Sequence, residues 1–173
     1  MKLWDHITSL LTGKVSIRET ITFNKLFGRR VLFVEGPPKH FSKVRQLLKN
    51  GTIKRIHVLS PENHQNIKCT RKELTDYVTK VCTMAKEQGI EIIPHLHVDA
   101  KFNEPRAIPG VEERRLINQT VKFFKGILGG EVDKISLGFW NYTYKNKNLT
   151  EFVKQQGIQI AKREPHVYDW WNL

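Results

Sequence analysis

The chain has 173 residues, 39% of them hydrophobic and 27% charged, which is ordinary for one soluble domain with a proper core. No apolar run reaches the ~18 residues a membrane-spanning helix needs, and the first residues lack the continuous apolar core of a signal peptide. The formal charge of +12, from 29 Lys and Arg against 17 Asp and Glu, favours polyanionic partners: nucleic acid, an anionic membrane, or acidic substrates.

Residues 1–28 stand apart from the rest. Leu3, Trp4, Ile7, Leu10 and Leu11 give residues 2–12 an amphipathic helical stripe closed by Gly13, and residues 15–24 alternate like an edge strand. This segment reads as a docked helix, with a membrane-surface or partner-binding helix as the alternative.

From residue 29 the sequence alternates two periods. RRVLFVEG (29–36) is a strand ending in Gly, and HFSKVRQLLKNG (40–51) places Phe41, Val44, Leu47 and Leu48 at helical spacing. IKRIHVLSP (53–61) is the next strand. Residues 70–89 form a helix opened by Thr70 and Glu73 at capping-box spacing and ended by Gly89. IEIIPHLHVDA (90–100) is the third strand, and 101–110, with two prolines and a Gly, reads as a loop. A helix over 111–130, a strand over 133–143, a short helix over 148–157 and a last strand over 158–171 complete the series. Strand–helix alternation with short Gly-ended links predicts parallel βαβ units. The expected fold is therefore α/β, with about five parallel strands alternating with helices in one domain over residues 29–173, as an incomplete barrel or an open three-layer sheet. A full eight-fold barrel would need ~250 residues.

In both architectures sites form at the carboxyl ends of the strands. There the sequence places Glu35, the run Ser60–His64, the series His95, His97, Asp99 and Lys101, then Trp140–Asn141–Tyr142, and finally His166, Tyr168, Asp169 and Trp170. His95, His97 and Asp99 recur at every second position, so on one continuous strand they share a face. Ligands two residues apart are about 6–7 Å apart at the backbone, close enough for both imidazoles to reach one ion. Two imidazoles and a carboxylate suit a divalent ion such as zinc or manganese, with Glu35, His166 or Asp169 as a fourth group. A metal-free site, with one His as general base oriented by Asp99, and a purely structural histidine pair are the alternatives. Trp140, Asn141, Tyr168 and Trp170 are the candidate substrate-binding residues. No GxGxxG, GxxxxGK[ST] or GxSxG motif occurs. The two cysteines, Cys69 and Cys82, are too few for a disulfide framework, and an intracellular, cytoplasmic setting is expected.

The segment GFWNYTYKNKNLTEFVKQQGIQIAKREPHVYDWW (138–171) resembles the closing unit of the polysaccharide deacetylase family, in which a short helix precedes a strand ending near a catalytic His. The likeness covers the last third of the chain and implies a (β/α) barrel-like fold, a hydrolase and a catalytic role for His166. The chain departs from that family's paired Asp motif, reading Val34–Glu35–Gly36, and its histidines are two apart rather than four. Together these readings favour a metal-assisted hydrolase acting on a carbohydrate-like or other polar, anionic substrate. In it Glu35 or Asp169 is the base and His166 the acid. The alternative of a different class is a basic nucleic-acid-binding or assembly protein with an inactive α/β core, supported by the charge and the aromatic residues.

Overall fold

The computed structural model describes residues 31–97, 99–101, 104–107, 110–138, 147–161 and 168–169. Six parallel strands form one sheet: β1 (Val31–Val34), β2 (Arg55–Leu59), β3 (Glu91–Leu96), β6 (Lys134–Leu137), β7 (Gln159–Ile160) and β8 (Tyr168–Asp169). Their order across the sheet is β7-β6-β3-β2-β1-β8. The helices between them are α1 (Phe41–Lys49), α2 (Arg71–Glu87), α3 (Gly110–Leu128) and α4 (Lys147–Gln155). The expected α/β fold of parallel strands is thus the observed one, and the N-terminal segment 1–28 lies outside the described residues.

Within this sheet β2, β3, β6 and β7 are each added in turn on the same side of the strand before, with no reversal of direction. Right-handed crossovers then place successive helices on one face of the sheet. The packing agrees, since α1 contacts α2, α2 contacts α3 and α3 contacts α4. The last strand, β8, sits beside the first, as in a barrel. Among the described residues β7 and β8 do not pair, so the sheet stays open.

Two sequence expectations change. The last strand expected over 158–171 is two short strands, which lie on opposite edges of the sheet. The expected loop 101–110 contains part of an antiparallel hairpin, β4 (Asp99–Lys101) with β5 (Glu104–Ala107). Pro105 is tolerated there because a two-stranded ribbon has free edges on which a missing N–H costs nothing.

The core follows from the two periods in the sequence. Leu32, Val34, Ile56, Val58, Leu96, Ile135 and Leu137 form one side of the sheet and are buried against Val44, Leu47 and Leu48 of α1, Leu74, Val78, Val81 and Ala85 of α2, and Ile117 and Phe124 of α3. At the start of α2 the capping box is complete: the Glu73 amide donates to Thr70 Oγ1 at 3.2 Å, and the Thr70 amide donates to Glu73 Oε2 at 2.8 Å. Gly89 ends α2 with φ of +64°, a left-handed conformation that side chains disfavour.

Candidate functional site

The side of the sheet opposite the helices is built from the alternate residues of each strand. Starting at the amino ends, it begins with an ion-pair group: Arg55 lies 2.6 Å and Lys134 3.4 Å from the Glu91 carboxylate. Phe33 and His57 come next, adjacent in register on β1 and β2, with their rings stacked at 4.2 Å. Further toward the carboxyl ends lie Glu35, His95 and Ser136, and beyond them His97 and Gly138. One face therefore passes from a paired surface charge group, through an aromatic layer, to a buried polar cluster.

That cluster is compact. Glu35 follows the last residue of β1, His95 is within β3 and His97 just beyond it. All three are buried, with 6%, 1% and 5% of their surfaces exposed. Glu35 Oε1 is 2.9 Å from His95 Nε2, and Glu35 Oε2 is 3.3 Å from His97 Nε2. The two imidazoles meet edge to face at 5.0 Å. One candidate ligand atom from each residue lies within 4.8 Å of the others.

Neighbouring groups hold these side chains in place. Asn63 clamps the His97 backbone from both sides: its amide nitrogen donates to the His97 carbonyl at 2.8 Å, and its carbonyl accepts from the His97 N–H at 3.0 Å. Gly138 leaves room for the His97 ring, since a Cβ there would lie 2.8 Å from His97 Cδ2 and 3.0 Å from Cγ. Ser136 Oγ lies 2.8 Å from His95 Nδ1 and 2.7 Å from His57 Nδ1. The Ser60 amide donates to the His95 carbonyl at 2.7 Å, fixing the end of β2 against β3.

Burial sets the electrostatics of the cluster. It pushes the Glu35 carboxyl upward, but the charge of His95 and hydrogen bonding with His95 and His97 outweigh it and hold Glu35 below the usual carboxylate range. For His95, complete burial outweighs the attraction of Glu35 and lowers its pKa. Burial, reinforced by His95 and Arg55, lowers His57 to about 3. The direction supported for the closest pair is an ionised Glu35 beside a neutral His95, because a carboxylate within 3.3 Å of two imidazole nitrogens retains its charge more readily than a buried imidazole acquires one.

The donor set fits a divalent ion. With ligand bonds of about 2.0–2.1 Å, a tetrahedral zinc site has ligand–ligand edges of about 3.3 Å; the Glu35–His97 separation is 3.3 Å, the Glu35–His95 separation is 2.9 Å, and all three candidate atoms lie within 4.8 Å of one another.

The structure brings together Glu35, His95 and His97 of the residues singled out from sequence. The pleat that places His95 and His97 on one face ends at Leu96, and Asp99 belongs to β4 in the separate two-stranded sheet. Tyr168 and Asp169 form β8, with Asp169 in register with Phe33 of β1. Trp140, Asn141, His166 and Trp170 lie outside the described residues. Sequence reasoning missed His57 and Ser136, and placed Asn63 only as part of the run Ser60–His64. The available signal was parity: His57 between Arg55 and Leu59, and Ser136 between Lys134 and Gly138, are polar residues on the alternate positions of otherwise apolar strands.

The fold and site define an α/β protein with a buried carboxylate–imidazole centre at the carboxyl ends of its parallel strands. No protein-family model matches the chain, and no curated protein matches it. Among solved structures it is similar to a chain studied for inhibition of the pneumococcal virulence factor StrH and for N-glycan recognition and hydrolysis. The identity is 11% and the TM-score 0.43, with 83% of this chain and 59% of that chain covered. The chain therefore spans less than two thirds of that structure's length. No helix among the described residues is long and apolar enough to cross a membrane.

Proposed function

We propose that the chain is a metal-assisted hydrolase acting on a carbohydrate-like or other polar, anionic substrate. The observation that carries this reading is the buried meeting of Glu35 with His95 and His97, at 2.9 and 3.3 Å. Buried ionisable groups are costly unless paired or used for chemistry, and three of them gathered where parallel-sheet sites form are a functional arrangement. Glu35, His95 and His97 would hold zinc or manganese. Such an ion supplies a Lewis acid and acidifies a water in contact with it.

The remaining roles belong to residues of the chain. Glu35 contributes negative charge that balances the cation. Asp169 takes the part of general base, since Glu35 is engaged with both imidazoles, and β8 lies directly beside β1. His166 gives a proton to the leaving group, and Trp140, Asn141, Tyr168 and Trp170 shape the pocket. The carbohydrate-like class is supported by the resemblance of residues 138–171 to polysaccharide deacetylases, and an anionic substrate by the net charge of +12. The alternative of a nucleic-acid-binding or assembly protein rests on charge and aromatic content alone.

The test is elemental analysis of purified, untagged protein beside the His95→Ala/His97→Ala and Glu35→Gln variants. Stoichiometric divalent metal in the wild type, lost from the double variant and reduced in Glu35→Gln, is the expected outcome. Failure of the wild type to retain metal after dialysis against zinc and against manganese would sink the metal-assisted reading. The Glu35–His95 pair would then stand as an acid–base dyad without an ion.

A further inference from the structure

Ser136 Oγ is shared by two buried imidazoles, at 2.7 Å from His57 Nδ1 and 2.8 Å from His95 Nδ1. A serine hydroxyl has one proton to donate and lone pairs to accept with. Its other outlet, the Pro94 carbonyl, is 3.4 Å away and too distant to compete. Both rings are buried, and a neutral imidazole carries one proton on one of its two nitrogens. With both contacts satisfied, the hydroxyl donates to the bare Nδ1 of one ring and accepts from the Nδ1–H of the other. The two histidines must then be opposite tautomers.

We propose that Ser136 couples the tautomer of His57 to that of His95, making Ser136 and His57 positioning residues that decide which form of His95 Nε2 is presented to Glu35 and His97. The consequence for metal rests on the function proposed above. When His95 Nε2 is a ligand, His95 holds its proton on Nδ1 and donates it to Ser136 Oγ. The Ser136 hydroxyl then donates to His57 Nδ1, and His57 keeps its own proton on Nε2. When His95 Nε2 instead donates to Glu35, each of these bonds reverses. His95 Nδ1 is bare, Ser136 donates to it, and His57 donates from Nδ1. The two rings and the hydroxyl hold three protons in both states: passing between them relays protons through Ser136 between the two Nδ1 atoms and exchanges one between His57 Nε2 and His95 Nε2 through water, with no net gain or loss. Outer-shell partners of this kind orient ligating imidazoles and fix their tautomers.

The experiment is two-bond proton–nitrogen correlation spectroscopy on protein labelled with nitrogen-15 at histidine, first chelator-treated and then with zinc. Opposite tautomers for His57 and His95 are expected in the metal-free protein, and inversion of both on zinc addition. Like tautomers in either state would overturn the coupling. A second arm measures zinc affinity by competition with a chelator. Ser136→Ala should weaken it about 10- to 100-fold, and Ser136→Thr, which keeps the hydroxyl, should restore most of it. Equal affinity of Ser136→Ala and wild type would overturn the positioning role. If wild type binds no zinc, the proposed function fails while the metal-free spectrum still decides the coupling. That spectrum needs no variant, so a misfolded Ser136→Ala leaves the inference open to refutation.

Discussion

His57 makes the metal-free protein acid-labile in a way that can be calculated. The ring is fully buried, stacks on Phe33 and is held to a pKa of about 3 by burial, then by His95 and Arg55. In the unfolded chain the same side chain titrates near 6.5. Between those values the unfolded state binds a proton that the folded state refuses, so stability is lost as pH falls below about 6.5. At pH 5 the loss from this one group is about 2 kcal/mol relative to pH 7.5, and it grows by about 1.4 kcal/mol per further pH unit until pH nears 3. Against a total stability of about 5–15 kcal/mol this is a large fraction. The assay is urea unfolding of chelator-treated protein at pH 7.5, 6 and 5, beside His57→Gln, which cannot titrate and is of similar volume. His95 contributes in the same direction in both proteins, and Glu35 releases stability only below the carboxylate range, so the difference between the two profiles isolates His57. Wild type should lose about 2 kcal/mol more than His57→Gln between pH 7.5 and 5. Profiles that differ by a constant offset at every pH would refute the reasoning, because His57 would then be protonating freely inside the fold.

Two further outcomes follow from single contacts. Gly138→Ala puts a methyl group 2.8 Å from His97 Cδ2, so the ring must move. The metal-free protein should lose about 1–3 kcal/mol in urea unfolding and bind zinc more weakly in the chelator competition, and unchanged zinc affinity would contradict the placement of His97 as a ligand. Thr70→Ala removes the capping box of α2 and should cost about 1 kcal/mol in urea unfolding with no effect on zinc binding, since the cap lies away from Glu35, His95 and His97.

The rhythm of the fold was legible because its physics is local. Buried parallel strands read as short continuous apolar runs, and helices showed their spacing and stops, as with Thr70, Glu73 and Gly89. The pairing of His95 with His97 was legible from the two-residue period, and Glu35 from its place at the end of β1. What escaped depends on register between distant segments. Ser136 is 79 residues from His57 and 41 from His95, and no local pattern announces that one hydroxyl will lie between those rings. Asp99 falls in β4 of the separate two-stranded sheet, and nothing in HLHVDA marks the end of β3 at Leu96. The split of the last strand was hidden for a similar reason: only the sheet order shows that Tyr168 and Asp169 return to the edge beside β1.

The contrast between the two faces of the sheet is itself evidence about what the molecule is for. Against the helices β1, β2, β3 and β6 offer apolar side chains that belong to the continuous core. On the other side the same strands carry Glu35, His57, His95, His97 and Ser136, all buried. Replacing a buried charged pair by apolar residues of similar volume is often neutral or stabilising, so packing does not require this set. Yet its members are fitted to one another: a shared hydroxyl between two rings, a shared carboxylate between two rings, an Asn clamp and a glycine that makes space. Such fitting, at the carboxyl ends of parallel strands and at a cost to stability that falling pH should expose, is what the proposed site of chemistry would need.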